Sequence, residues 1–212
     1  MTSSSPISEL TTLHLKPGID IHKADSQAWS EILKTISSQP GFLSLTWGSK
    51  IEDPTIIILC INWKSYKDHE TFTTASFYTS FLETVSALFT TVEIHHFTPP
   101  QSLLSKVPVV ETVTVFLATP EFYGSNLTKF ANAVRSSSTT GLKGVEIGEV
   151  VEELAKEEGG EAGRACKLFI GWESVEDHMA FRETAVFKEN IGLLREGNGG
   201  IEMFHVAFKD SL

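Results

Sequence analysis

The spacing of apolar residues changes along the chain between a period of two, typical of strands, and a period near 3.6, typical of helices. ELTTLHLK (9–16) alternates and predicts a strand. DSQAWSEILKTISSQPG (25–41) predicts a helix, with Asp25 or Ser26 as its N-cap and Pro40-Gly41 as its stop. Further strands are predicted at 42–48, 55–63 and 92–98, and a second helix is predicted to begin at Ser65. The first half therefore predicts the order strand, helix, strand, strand, helix, strand.

The second half of the chain repeats this order. Strands are predicted at 109–118, 142–148, 166–172 and 201–208, with a helix around 127–134 and another from Ser174. NWKSYKDH (62–69) matches GWESVEDH (171–178), and VEIHHF (92–97) matches IEMFHV (201–206), both at an offset of 109 residues. Upstream, GFLSLTWG (41–48) matches GLKGVEIG (141–148) at an offset of 100. The repeat predicts two copies of one βαββαβ unit, each a ferredoxin-like arrangement.

These patterns define an α+β protein with two tandem units. We expect a flexible tail at 1–6, a first ferredoxin-like repeat at 7–100, a linker at 101–108 and a second repeat at 109–209. The second repeat carries an acidic insertion at 149–164, which holds six glutamates against one lysine and one arginine and is predicted to be a solvated helix and loop. An antiparallel sheet with helices on one face leaves its other face apolar, so the two sheets are expected to cover each other.

Composition excludes several classes of function. The net charge of −10 argues against nucleic acid and anionic membranes as partners, because both require basic surfaces. The first ten residues, MTSSSPISEL, lack the basic and apolar regions of a signal peptide, and TIIILCI (55–61) is too short to span a bilayer. An intracellular, cytoplasmic protein is therefore expected. Cys60 and Cys166 lie in apolar strands and are predicted to be reduced core residues.

Part of the repeated motif is explained by helix capping. Ser65 and Ser174 each stand three residues before an aspartate, Asp68 and Asp177, close to the pattern of a capping box. The hydroxyl accepts a backbone N–H of the first turn, and the carboxylate favours the positive end of the helix dipole. We therefore assign these four residues to the fold.

The repeated histidines are the main candidates for chemistry. His69 and His178 fall on the apolar stripe of their helices and are predicted to face inward, either as general acid or base or as core residues bonded to a backbone carbonyl. His96 and His205 point to the same face of equivalent strands, either toward a ligand cavity or toward a central barrel. Trp63 ends a strand, where it either packs or stacks on a ligand.

The quoted segments resemble a known family. TWGSKIED (46–53), the strand ending at Trp63, the helix start at 65–72 and the terminal HFTP (96–99) are similar to the dimeric α+β barrel proteins. These include antibiotic-biosynthesis monooxygenase-like domains, stress-responsive barrel proteins and olivetolic acid cyclase. The resemblance implies that the two units pack sheet to sheet as an intramolecular dimeric α+β barrel. It leaves association of this pseudo-dimer into a further homodimer open.

Family site residues transfer only in part. The tyrosine of the cyclase falls on Phe72 and Phe181, and its histidine falls on Tyr78 and Phe187, so that His–Tyr pair is absent. The haem-binding branch places its histidine where Ile191 follows AVFKEN. Leu82 occupies that place in the first repeat. Neither a cofactor nor a metal is expected.

These observations together predict a cofactor-independent enzyme of the monooxygenase or cyclase type, acting on an aromatic or polyketide-like small molecule. His69 is the expected acid or base, and Tyr78 is the expected hydrogen-bond donor. The predicted substrate-binding residues are aromatic side chains and histidines of both repeats: Trp47, Trp63, Phe72, His96, Trp172, His178 and His205. The alternative is a non-catalytic stress-responsive or ligand-binding barrel in which the histidines are structural.

Overall fold

The computed structural model describes residues 5–23 and 27–210. The proposed N-caps Asp25 and Ser26, and most of the predicted tail, lie outside the described residues. The first repeat contains β1 (Ile7–Leu15), α1 (Gln27–Ser37), β2 (Phe42–Ser49), β3 (Ile56–Trp63), α2 (Tyr66–Thr73), α3 (Tyr78–Leu88) and β4 (Phe89–Thr98). All four strands and the first helix lie where the periodicity predicts them. The predicted second helix is divided in two, because the run of small and β-branched residues after Phe72 favours helix ends over helix interiors.

The second repeat has the same plan with additions. Its elements are β5 (Val109–Phe116), a π-helical turn (Tyr123–Leu127), α4 (Thr128–Arg135), β6 (Leu142–Val150), β7 (Leu154–Ala155), β8 (Ala162–Gly163), β9 (Cys166–Trp172), α5 (Val175–Phe181), α6 (Ala185–Asn190), α7 (Gly192–Arg195), β10 (Gly200–Val206) and β11 (Lys209–Asp210). The prediction of a helix in the acidic insertion is wrong. Glu149, Glu153 and Glu157 are spaced four residues apart and would repel one another on a helix, and the segment instead forms a short β-hairpin, β7–β8.

The two sheets form one closed barrel, as the sequence predicts. The first repeat contributes the order β4-β1-β3-β2 and the second contributes β10-β5-β9-β6. At one seam β4 pairs with β6 through Phe97 and Val150, and at the other β2 pairs with β11 through Trp47 and Lys209. Because strand side chains alternate between faces, each strand supplies one set of residues to the barrel interior and another to the layer beneath the helices. The helix-side layer positions the candidate site.

Three apolar clusters fill these layers. One lies between the first sheet and its helices, one lies between the second sheet and its helices, and the third occupies the barrel interior. Leu104 and Val107 of the predicted linker belong to the interior cluster, so this segment packs against the barrel and seals part of it. Cys60 and Cys166 are buried free thiols, as predicted, and burial raises the pKa of each to about 12. No helix among the described residues is long and apolar enough to cross a bilayer.

The predicted helix caps are confirmed in both repeats. Ser65 accepts the backbone N–H of Asp68 at 3.2 Å, and Ser174 accepts that of Asp177 at 3.1 Å. Each aspartate also packs against a glycine of positive φ, Gly41 in the first repeat. A Cβ at Gly41 would lie 2.3 Å from Cγ of Asp68. The repeated motif therefore fixes how each helix enters from its strand.

Replacing Gly41 by alanine is expected to destabilise the protein by about 2–4 kcal/mol, because left-handed strain and a steric clash add. Gly18 is the matched control, since its φ is also +82° but a Cβ there meets nothing within 4 Å. Gly18→Ala should cost only the backbone strain, about 1–2 kcal/mol. Urea denaturation of both variants measures the difference. Equal losses would show that the contact with Asp68 is not a constraint.

Candidate active site

A glutamate that interrupts the apolar face of β1 forms the centre of the candidate site. Glu9 is buried beneath the helices, where Oε2 accepts the indole N–H of Trp63 at 2.8 Å. Its Oε1 accepts the hydroxyl of Thr11 at 2.8 Å. Nε2 of His69, on α2, lies 3.5 Å from Oε2, and the imidazole stacks on Trp63 with ring centroids 5.5 Å apart. The β3 tryptophan and the β1 threonine thus hold the carboxylate in place beside the imidazole.

A chain of hydrogen bonds connects His69 to the protein surface. Nδ1 of His69 lies 2.7 Å from Nε2 of His96, and Nδ1 of His96 lies 2.6 Å from Oε1 of Glu152. Glu152 also accepts the backbone N–H of His96 at 2.7 Å. We call Glu9, His69, His96 and Glu152 the first relay. Glu152 belongs to the acidic insertion of the second repeat, so the relay crosses between the repeats.

The partners of each ring nitrogen fix the proton positions in the first relay. The Glu152 carboxylate accepts from Nδ1–H of His96, which leaves Nε2 of His96 as the acceptor for Nδ1–H of His69. Nε2 of His69 is then the nitrogen without a proton, and it lies 3.5 Å from Oε2 of Glu9. Burial lowers the pKa of His69, with attraction to Glu9 opposing it, so the imidazole is neutral near pH 7. Nε2 of His69 can therefore act as a buried base. When it takes up a proton, the proton on Nδ1 can leave along the relay.

A cavity of about 60 Å³ lies against this base. Glu9, His69, Phe72 and Tyr78 line it together with apolar residues of α1, α3, β3 and β4. Burial raises the pKa of the Tyr78 hydroxyl, so it stays a hydrogen-bond donor at neutral pH. Three exposed apolar side chains also line the cavity: Leu82, Val92 and Ile94, which are 43%, 42% and 40% exposed. They mark an apolar opening between α3 and β4.

The second repeat contains the same relay with different surroundings. Nδ1 of His178 lies 2.7 Å from Nε2 of His205, and Nδ1 of His205 lies 2.5 Å from Glu52, a residue of the first repeat. Nε2 of His178 lies 3.6 Å from Glu111, which accepts the indole N–H of Trp172 at 3.0 Å. We call Glu111, His178, His205 and Glu52 the second relay. The two relays link the repeats reciprocally.

Two differences separate the relays. Val113 stands where Thr11 hydrogen-bonds to Glu9, so Glu111 lacks that second donor and burial raises its pKa to about 7. Burial, followed by repulsion from His205, lowers the pKa of His178 to about 4. Phe187 occupies the place of Tyr78 and packs edge-on against Phe181 at 5.5 Å. A phenyl ring therefore takes the place of the phenol in the second repeat.

The predicted site residues separate into four groups. His69, Phe72 and Tyr78 do converge on one cavity. Trp63 and His96 lie behind His69 and do not line that cavity, so Trp63 is not positioned to stack on a ligand there. Trp47 lies apart from the cavity, against Trp29 with centroids 5.2 Å apart. The remaining three, in the second repeat, surround Glu111: Trp172, His178 and His205.

Sequence reasoning missed all four glutamates of the relays. Glu9 and Glu111 occupy equivalent places in the first strands, and Glu52 and Glu152 share the offset of 100 that relates 41–48 to 141–148. Extending the repeat comparison to these positions would have found them. What the comparison could not show is that each outer glutamate reaches across to the other repeat.

The ligand atoms of Glu9, His69 and His96 lie within 4.8 Å of one another, which makes them a possible metal-binding group. The two imidazole nitrogens, however, are 2.7 Å apart and share a hydrogen bond. Tetrahedral zinc, with bonds of about 2.0–2.1 Å, separates its ligand nitrogens by about 3.3 Å. The geometry fits a proton relay and would have to open to admit a metal ion.

Comparison with known proteins identifies the fold. No protein-family model and no curated protein match the sequence. An anthrone oxidase-like protein of known structure superposes with a TM-score of 0.70 at 16% identity, covering 97% of this chain and 93% of that chain. A protein of Lactobacillus acidophilus NCFM that is assigned as a monooxygenase gives 0.63 at 14% identity, over 96% and 94%. The chain has the dimeric α+β barrel fold.

A third structure, of a protein assigned as a chlorite dismutase, gives a TM-score of 0.54 at 11% identity, over 97% of this chain and 96% of that chain. All three matches span both repeats, so two barrel halves in one polypeptide occur in other proteins. The names of these proteins differ in the reaction they indicate. The fold is therefore compatible with more than one chemistry, and function has to be argued from the site.

Proposed function

We propose that the protein is a cofactor-independent enzyme of the monooxygenase type, and that its substrate is a small aromatic or polyketide-like molecule with an acidic C–H or phenolic O–H. The observation that carries the proposal is the buried base at the apolar cavity: Nε2 of His69, with a continuous hydrogen-bonded exit for the proton through His96 to Glu152. The second relay, with Phe187 in place of Tyr78, is assigned to the fold.

In the proposed reaction His69 takes a proton from the substrate, and the imidazolium passes its Nδ1 proton along the relay. The side chain of Glu152 is 32% exposed, so the proton reaches solvent there. Tyr78 donates a hydrogen bond to the oxygen on which charge develops. The resulting anion is rich in electrons and can react with O₂. A methylene carbon then loses four electrons as O₂ is reduced to one carbonyl oxygen and one water.

The cavity of about 60 Å³ is smaller than the about 300–1,000 Å³ typical of ligand pockets. A fused-ring substrate therefore requires α3, which carries Tyr78 and Leu82, to move away from the sheet on binding. The exposed apolar residues at the opening suit the entry of a flat apolar molecule. The name of the anthrone oxidase-like structural neighbour is consistent with such a substrate.

Anthrone is a suitable probe, because it is a small aromatic ketone with an acidic methylene group. The test measures O₂ consumption and anthraquinone formation, with the rate in buffer subtracted. The proposal expects a catalysed reaction with one O₂ consumed per anthraquinone formed. A rate equal to that of buffer, for anthrone and for other polycyclic phenols, would contradict it.

Replacing Tyr78 by phenylalanine is expected to lower the turnover of anthrone about 10- to 100-fold, because one donor to the developing anion is lost. Tyr123→Phe is the matched control, since Tyr123 packs in the second repeat and does not line the cavity. Steady-state O₂ consumption should be unchanged in that control. An unaffected rate for Tyr78→Phe would remove the phenol from the proposed mechanism.

The second candidate function is a non-catalytic ligand-binding barrel. It is favoured by the presence of a nearly identical relay in both repeats, each closed by a glutamate from the other repeat. Under this hypothesis the relays hold the two halves together. Replacements in either relay should then cost stability equally and leave no catalytic difference between the repeats.

A further inference from the structure

A second cavity, of about 560 Å³, lies inside the barrel and is separate from both relays. Its walls come from the inward faces of β1, β3, β4, β5, β9 and β10, and the β7–β8 hairpin of the insertion contributes to its rim. This volume lies within the range of about 300–1,000 Å³ that is typical of ligand pockets. About half of the lining residues are apolar, including Leu10, Ile58, Phe116 and Phe204.

One lysine is buried in this cavity without a counterion. Lys167, on β9, is 1% exposed, and its Nζ donates to the hydroxyl of Thr114 at 2.6 Å. No ion pair within 4 Å involves Lys167 in the part of the chain that the structure describes. A buried ammonium is costly unless it is paired, and burial lowers the pKa of Lys167 to about 7. Lys167 and its partner Thr114 both line the cavity.

A polar atom without a hydrogen-bond partner among the described residues lies in the same wall. Nε2 of His95, on β4, is fully enclosed and makes no hydrogen bond among the described residues. Repulsion from Lys167 is one of the effects that lower the pKa of His95, after burial, so the two side chains are close enough to interact. A neutral imidazole with its proton on Nε2 would add a second donor beside the ammonium. Buried polar atoms without partners are rare, and they call for a ligand or water.

Lys167 and His95 are not repeated at the equivalent positions of the other repeat. At the position of Lys167 the first repeat has Ile58, and at the position of His95 the second repeat has Phe204. The fold therefore accepts apolar residues at both places. At the rim, Glu93 and Glu202 are exposed and are balanced in formal charge by Lys50 and Lys156. The remaining positive charge is that of Lys167, which Glu202 attracts without forming an ion pair within 4 Å.

We propose that the barrel cavity binds a molecule with an apolar body and one carboxylate, held by the Lys167 ammonium and by Nε2–H of His95. The two carboxylate oxygens accept from these donors, and the apolar part of the wall, which includes Leu10, Ile58, Phe116 and Phe204, receives the rest of the molecule. This site does not depend on the proposed function, since it contains no residue of either relay and lies on the opposite face of the sheets.

The test is isothermal titration calorimetry of the full chain with decanoate, and with decanol as the uncharged probe. Decanoate should bind with a stoichiometry of one. Lys167→Met should weaken it about ten- to a hundredfold, because a charge-assisted hydrogen bond is lost, while the affinity for decanol stays unchanged. His95→Phe should weaken decanoate about tenfold. The exposed Lys129→Met is the matched control and should bind as the wild type does.

Two results would overturn the proposal. One is the absence of decanoate binding to the wild type. The other is equal decanoate affinity in the wild type and in Lys167→Met. The Lys167→Met variant is expected to fold, because the equivalent position of the first repeat holds the apolar residue Ile58. Its thermal midpoint should be raised or unchanged. A lysine needed only for structure would instead lower that midpoint when replaced.

Discussion

Replacing His69 by glutamine is expected to lower the turnover of anthrone about 10²- to 10⁴-fold, the range typical for loss of a general base. The amide keeps the hydrogen bond to Nε2 of His96 but cannot take up a proton. The same replacement at His178 should leave turnover within about twofold, because Phe187 stands beside it where Tyr78 lines the first cavity. Steady-state O₂ consumption by the two variants measures this contrast.

The matched pair separates catalysis from folding. His69 and His178 are both buried and make equivalent contacts with a tryptophan, a glutamate and a second histidine. Their replacements should therefore lower the free energy of unfolding by similar amounts, as urea denaturation can check. If both variants lost turnover in proportion to stability, both histidines would be assigned to the fold and His69 would not be the base.

Replacing Glu111 by glutamine is expected to give stability a steep dependence on pH. In the wild type, burial raises the pKa of Glu111 from 4.5 to about 7 and lowers the pKa of His178 from 6.5 to about 4. At a pH between 4.5 and 6.5, the folded pair thus holds one proton, on the carboxyl of Glu111. The unfolded pair also holds one, on the histidine. With equal numbers of bound protons, this pair adds no slope to the free energy of unfolding.

In Glu111→Gln only His178 titrates. Its folded pKa lies below its unfolded value, so the unfolded state binds a proton that the folded state does not, and stability is lost as pH falls from 6.5 toward about 4. The expected slope is about 1.4 kcal/mol per pH unit, or about 2–3 kcal/mol across two units. Urea denaturation at several pH values measures it, with the exposed Glu176→Gln as control. Parallel curves for Glu111→Gln and the wild type would show that the carboxyl of Glu111 does not hold a proton in the folded protein.

The fold was predictable because the same pattern of apolar and polar residues occurs in both halves of the chain. A one-residue shift would move a strand's apolar residues to the wrong face, so two copies of the same alternation constrain the register strongly. The capping serines and the inward orientation of His69 follow from local spacing in the same way. The second helix of each repeat was less predictable, since its division depends on weak propensities near Thr74 and Thr184.

The site was only half predictable. His69 and Tyr78 could be selected because helix periodicity and the resemblance both concern residues near each other in sequence. Glu9 and Glu152 are isolated in an alternating strand and in an acidic insertion, where a glutamate is most simply interpreted as facing solvent. Their role depends on the closure of the barrel, which brings the insertion of one repeat over the last strand of the other. Periodicity carries no information about that contact.

The central claim is that His69 removes a proton from a substrate held in the first cavity. Exchange of the anthrone methylene protons in D₂O under nitrogen, followed by proton NMR, measures that step without O₂. The account predicts that the wild type and His178→Gln accelerate the exchange to the same extent, and that His69→Gln lowers the acceleration at least about a hundredfold. Equal exchange rates with the wild type and with His69→Gln would contradict it.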